Sequence, residues 1–124
     1  TPRATTARGS GRFGRALRLS PLDPMNFNNF VGMGASNFLL RDYDKAVPLY
    51  RRALEERPNA KWIHRNLVPS LVGAGRMEEA KLAFAELMHS YPDLTISKVK
   101  EAMVFSESAL ERIADYLRKL GMPE

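Results

Sequence analysis

Laid over itself at an offset of 34 residues, the chain repeats its chemistry: Tyr43 falls on Met77, Ala46 on Ala80, Tyr50 on Phe84, Leu54 on Met88 and Pro58 on Pro92. A period of this length means one supersecondary unit used more than once, each copy burying its apolar flank against the next. The unit is helical. Apolar residues recur at spacings of three and four over 43–56 and 77–88, and no stretch alternates as a half-buried strand does. Breaks at Pro21 to Pro24, Arg41-Asp42, Pro58-Asn59, Gly73 to Gly75 and Pro92-Asp93 predict antiparallel helices at about 25–39, 43–56, 60–73 and 77–90, joined by short turns.

In each unit a small residue opens the second helix (Ala46, Ala80), an aromatic follows one turn later (Tyr50, Phe84) and a proline closes it (Pro58, Pro92). With the 34-residue period, this pattern resembles the tetratricopeptide repeat. RDYDKAVPLYRRALEERP and GRMEEAKLAFAELMHSYP carry the resemblance, and GRFGRALRLSP, with Phe13 and Ala16, resembles the tail half of an earlier repeat, offset by 37 because Leu22-Asp23-Pro24 are inserted. The resemblance implies an all-α fold of antiparallel helix-turn-helix repeats stacked as a short right-handed superhelix. An Arg-rich leader would span 1–10, a half repeat 11–24 and full repeats about 27–58 and 61–92. Phe13, Ala16, Phe30, Gly34, Ala46, Tyr50, Pro58, Ala80, Phe84 and Pro92 would be the packing positions.

Residues 95–124 read as two capping helices. Thr95 can cap a short helix from Ile96 to Met103, and Ser106 or Ser108 can cap another, Ser108-Ala109-Leu110-Glu111 matching a capping box. Leu110, Ile113, Ala114, Leu117 and Leu120 form one apolar stripe, which Gly121 and Pro123 end. Such a helix is expected to cover the open end of the last repeat.

Gly32-Met33-Gly34, inside FVGMGASNFLL, has the look of a phosphate-cradling loop. That reading fails on two counts: no strand precedes it, and Asn37 stands where the third glycine belongs. In the repeat the same residues have a packing role, with Phe30, Met33-Gly34 and Asn37 on one side of the first helix. Gly34, lacking a Cβ, lets the partner helix approach closely, at a helix-propensity cost of about 1 kcal/mol. Asn37 departs from the apolar residue usual in the family, so this repeat is expected to pack less tightly or to use the amide in a cap.

Other candidate chemistry is sparse. There is no cysteine, which excludes disulfides, a thiolate nucleophile and thiolate zinc sites and fits a reducing, cytoplasmic setting. His64 and His89 lack acids or cysteines at metal-ligand spacing, so packing or surface roles are expected. Glu55-Glu56 and Glu78-Glu79 stand beside Arg51, Arg52, Arg76 and Lys81, as solvated ion pairs do. No catalytic residue, cofactor site or metal site is predicted, and no apolar run approaches the ~20 residues that would span a bilayer.

The net charge of +5 comes from Arg3, Arg8, Arg12, Arg15 and Arg18 near the start; the other 14 basic residues are balanced by 14 acidic ones. A nucleic-acid tether through this leader is therefore a minor alternative, since the body offers no excess of basic residues for phosphate.

Function is then expected in a surface. At 100° per residue, Asn28, Val31, Ala35 and Phe38 form a second stripe on the first helix, and Trp62, Arg65, Asn66, Pro69 and Val72 form its counterpart in the next repeat. In stacked repeats these stripes line a concave groove, on which proteins of the family usually hold an extended or helical peptide. Trp62 and Phe38 would be apolar anchors, while Arg65 and Asn66 could receive a carboxylate or peptide backbone. The competing expectation is that Trp62 packs against the preceding repeat and Arg65 pairs with a local acid. Pro69, and Pro48 nearer the start of its helix, should bend their rods. The chaperone-tail carboxylate clamp known in the family is not expected, because Val31 and Ala35 stand where it needs Lys and Asn.

LRLSPLDP, the repeats, YPDLTISKVKEAM and LRKLGMPE together resemble the carboxyl-terminal tetratricopeptide region of bacterial class III adenylate/guanylate cyclases, over about residues 13–124. The resemblance implies a noncatalytic segment with a cyclase domain upstream. Because the chain begins at Thr1 rather than Met, it is expected to be part of something longer. The expected partners are a protein or peptide ligand, a second copy of the chain, or that cyclase domain in cis.

Overall fold

The computed structural model describes residues 26–124, and all regular structure among them is helical. The leader (1–10) and the half repeat (11–24), with Phe13 and Ala16, lie outside the described residues. Helix α1 runs Phe27–Leu39, α2 Tyr43–Glu56, α3 His64–Gly73, α4 Met77–Ser90, α5 Ile96–Ala102 and α6 Glu107–Lys119, with one 3-10 turn, Lys61–Ile63, leading into α3. Helices α1 and α2 form one hairpin and α3 and α4 the next, with α2 packed on α3 between them. No helix among the described residues is long and apolar enough to cross a membrane.

The 34-residue period is written in backbone hydrogen bonds. At the end of α1, Leu40 N bonds Ser36 O, Arg41 N bonds Phe38 O and Asp42 N bonds Asn37 O at 2.8–3.1 Å; at the end of α3 the equivalent Ala74, Gly75 and Arg76 amides bond Ser70, Val72 and Leu71 carbonyls at 2.9–3.0 Å. This is the six-to-one closure of a helix whose next residue turns left-handed. Gly75 (φ 78°) adopts that turn freely, whereas Arg41 (φ 62°) carries a side chain into it. The same closure ends α6 at Gly121, whose φ is 98°.

Packing follows the repeat. Ala46 and Ala80 are fully buried, as are Phe30 and Tyr50, and the buried apolar residues of the helices form one contiguous core. Gly34 lies against the Tyr50 ring, so closely that a Cβ there would stand 2.8 Å from Tyr50 Cε1. Phe84, the counterpart of Tyr50, is only partly covered, and Pro58 and Pro92 are exposed helix stops. His64 occupies the place that Phe30 holds one period earlier and is buried, its Nδ1 3.0 Å from Lys61 O. Asn37 caps nothing; its Nδ2 donates to Met33 O at 2.8 Å, one turn back along its own helix. Pro48 and Pro69 both lie within continuous helices.

One exposed ion cluster ties the hairpins together. Glu79 of α4 accepts from Arg76 Nε (2.7 Å) and Nη2 (2.9 Å) and from Arg51 Nη2 of α2 (2.7 Å), which holds its carboxyl down at about 2. Glu78 pairs with Lys81 and Glu55 with Arg52.

At the carboxyl-terminal end, Thr95 caps α5 as expected, its Oγ1 accepting from Lys98 N at 3.2 Å. Ser106 rather than Ser108 caps α6, accepting from Ala109 N at 3.3 Å. The Ser108 capping box does not form, because Ser108 already lies within the helix and Glu111 turns to pair with Lys100. Oxygens of Pro123 and Glu124 accept from Ile96 N and Ser97 N, so the last residues close the α5–α6 hairpin on itself.

Candidate interaction groove

Parts of the two predicted stripes line one hollow. Val31, Gly32 and Ala35 from α1, Trp62 from the 3-10 turn, Arg65 and Asn66 from α3, and residues 102–105 line a surface cleft of about 240 Å³. Val31, Ala35, Trp62, Arg65 and Asn66 are thus brought together. Asn28 is exposed near the start of α1, away from this lining.

Trp62 is part of the lining, its ring edge-to-face with Phe27 of the preceding repeat at 6.0 Å. Its packing on that repeat and its presence in the cleft lining therefore hold together. Arg65 crosses the indole, its Cζ 5.7 Å from the ring centroid and its Nε donating to Trp62 O at 3.2 Å. No carboxylate among the described residues pairs with Arg65, and burial lowers its pKa by penalising the charged form. A half-buried guanidinium without a counter-ion suits an anionic group brought by a ligand.

Asn66 reaches further in. Its Nδ2 donates weakly to Tyr50 Oη at 3.4 Å, while its Oδ1 is buried with no hydrogen-bond partner among the described residues. Burial raises the Tyr50 hydroxyl to about 12, against the Asn66 bond that lowers it. Asn66 lines both the open cleft and a crevice too tight for water, formed with Phe38, Tyr50, Met103, Phe105 and Ile113.

Phe38 and Pro69 are not open to a partner. Phe38 is 2% exposed, and Pro69 is among the fully buried side chains. The cause lies in the carboxyl-terminal helix, which packs on α3 instead of only covering the end of the last repeat. Tyr116 of α6 stands edge-on to Phe38 at 6.4 Å, and Arg112 Cζ lies 4.6 Å from the Phe38 ring centroid. Arg112 also donates to Phe38 O (2.9 Å), Leu39 O (3.4 Å) and Tyr43 Oη (2.7 Å), and the Tyr43 and Tyr116 hydroxyls are 3.0 Å apart. Spacing along α6 showed its apolar stripe but not its seat, since Arg112 and Tyr116 lie beside that stripe and their partners are some 70 residues away in sequence.

A tetratricopeptide repeat family model matches residues 38–103, more than half of the 124-residue chain. The chain belongs to the tetratricopeptide repeat family. The match runs from the end of α1 through α5, so α5 falls within the repeat pattern and α6 lies beyond the matched span. No curated protein matches the chain. No solved structure matches it either. Repeat domains of this kind carry function in their surfaces, and no cluster of metal-ligating side chains occurs among the described residues.

Proposed function

We propose that this domain is a protein-interaction module that holds an extended peptide segment in the cleft between α1 and α3. The observation carrying this is the convergence on one hollow walled by apolar side chains of Trp62, of Arg65, which meets no carboxylate among the described residues, and of under-satisfied Asn66. An apolar residue of the ligand would lie over Trp62 and Val31, a carboxylate would meet Arg65, and a backbone N–H would serve Asn66 Oδ1. The domain is read as noncatalytic, its work done by binding.

The cyclase-like features of the sequence extend this reading to a catalytic domain upstream in the same polypeptide, with the cleft engaging a segment of that domain. A second copy of the chain is the remaining candidate for the cleft. Tethering to nucleic acid through the arginine leader rests on residues outside the described part. Salt-sensitive DNA or RNA binding that vanishes on deleting residues 1–18 is its test.

The cleft is tested with a library of extended peptides varied in apolar and acidic positions. Peptides selected by the native protein should favour a carboxylate near an apolar residue. They should bind at least about tenfold more weakly to Ala35→Arg, which fills the cleft, and to Arg65→Glu, which reverses its charge. Retained binding in both folded variants would remove the cleft as the site.

A further inference from the structure

A second hollow shares no lining residue with the cleft. It holds about 650 Å³, bounded by Arg41 in the turn between α1 and α2 and by one side of α6, where Ser108, Arg112, Tyr116 and Lys119 recur at helical spacing. Glu111 and Asp115 line it too, but other cations engage both: Lys100 and Arg118 pair with Glu111, and Arg118 with Asp115. Arg41, Arg112 and Lys119 meet no carboxylate among the described residues. Arg112 donates instead to neutral oxygens of Phe38, Leu39 and Tyr43, and Lys119 Nζ lies 6.0 Å from the Tyr116 ring centroid. With the Glu124 partner of Arg118 included, five cations face three side-chain carboxylates. The carbonyl end of α1 offsets on the order of half a charge more, so the hollow stays positive by more than one unit. Its field reaches Tyr43: burial pushes that hydroxyl up, yet its bonds to Tyr116 and Arg112 and the charges of Arg112 and Arg41 leave it lowered.

A lone inorganic ion would fill little of this space, whose volume lies in the range of small-ligand sites, roughly 300–1,000 Å³. Tyr116, held edge-on by Phe38 and Tyr43, supplies a fixed apolar wall beside the cations. We propose that the hollow binds a small phosphate monoester, its charged head met by Arg41, Arg112 and Lys119 and its carbon part lying on Tyr116. A carboxylate brings one charge, whereas a phosphate monoester brings about 1.5 to 2 near neutral pH and three acceptor oxygens, which suits donors arriving from two elements. Arg41 and Lys119 are exposed, so the affinity is expected in the millimolar range.

The probe is phenyl phosphate, titrated into the full chain at low ionic strength and followed by the amide resonances of Arg41, Ser108 and Tyr116. These should shift saturably, and phenyl sulfate, with a single charge, should bind at least about fivefold more weakly. Arg41→Gly, which relaxes its turn, and Lys119→Gln should each weaken phenyl phosphate about three- to tenfold. Asp115→Asn removes a repelling charge from the lining and should tighten binding, a gain that misfolding cannot mimic. Arg65→Glu, in the peptide cleft, should leave it unchanged. The proposal is overturned if the hollow shows no shift, if the sulfate binds as tightly as the phosphate, if the three charge variants keep native affinity, or if the shifts centre on Trp62 and Arg65. A phosphoserine peptide that binds more tightly than phenyl phosphate would assign the hollow to a phosphorylated polypeptide and overturn the small ester.

Discussion

Gly34 and Tyr50 are in van der Waals contact across the first hairpin, with room for a hydrogen on Gly34 and not for a methyl group, since an added Cβ would lie 2.8–3.0 Å from three atoms of the Tyr50 ring. The ring cannot retreat, being 1% exposed between α1, α3 and the crevice beneath α6. Gly34→Ala should therefore destabilise the fold by about 1–2 kcal/mol, overpacking outweighing a helix-propensity gain of about 1 kcal/mol. Pairing it with Tyr50→Leu should recover part of the loss. Denaturant unfolding of the single and double variants measures the coupling, and additive effects would contradict the contact.

The turns after α1 and α3 share one backbone conformation but not one residue type. Arg41→Gly relieves the left-handed strain and should stabilise by up to about 1 kcal/mol, with part of the gain returned as unfolded-state entropy. Gly75→Ala should destabilise by about 1 kcal/mol, because its φ of 78° then becomes costly. Thermal melts of the two variants should shift in opposite directions.

Tyr50 makes alkaline stability pH-dependent. Its hydroxyl, pushed up to about 12 by burial, stays neutral in the fold at pH values where the unfolded chain, near 10, has already ionised. Its contribution is complete below pH 10 and is lost as pH rises toward 12, amounting to about 2–3 kcal/mol over that window. Tyr50→Phe should flatten the fall between pH 10 and 12 in urea unfolding. Tyr43 and Tyr116 remain in both proteins and cancel in the comparison. Curves that stay parallel would sink the assignment.

Asn66 should exchange stability for binding. A buried acceptor without a donor costs about 1–3 kcal/mol, so Asn66→Met is expected to raise the melting temperature while weakening peptide capture in the cleft. A variant that is less stable and binds equally well would place the value of Asn66 in its bond to Tyr50 instead.

The repeat was legible because its signals are local and recur: the small residue at Ala46 and Ala80, the glycine beneath an aromatic, the proline that stops a helix. The small residue and the proline recur 34 residues on, the glycine does not, its counterpart being Val68, and the hydrogen-bonded turns follow the same register. The cleft was legible in part, since Val31, Ala35, Trp62, Arg65 and Asn66 lie on stripes that helical spacing defines. Phe38 and Pro69 lie on the same stripes and are buried, because the path of α6 depends on contacts between distant residues. Arg112 has nothing in its neighbourhood of the sequence to mark it as the group that closes the end of α1. The left-handed Arg41 was hidden too, as its side chain is not one that advertises such a turn.

Val104 points wholly into solvent from an extended stretch, with a compact helical body on one side and a compact helix on the other. Among the described residues it offers a protease an open site, and a single cut there would leave two pieces still clasped by Arg112, Lys100 and the residues closing on Ile96. The domain could thus persist nicked, as a complex of fragments rather than one strand.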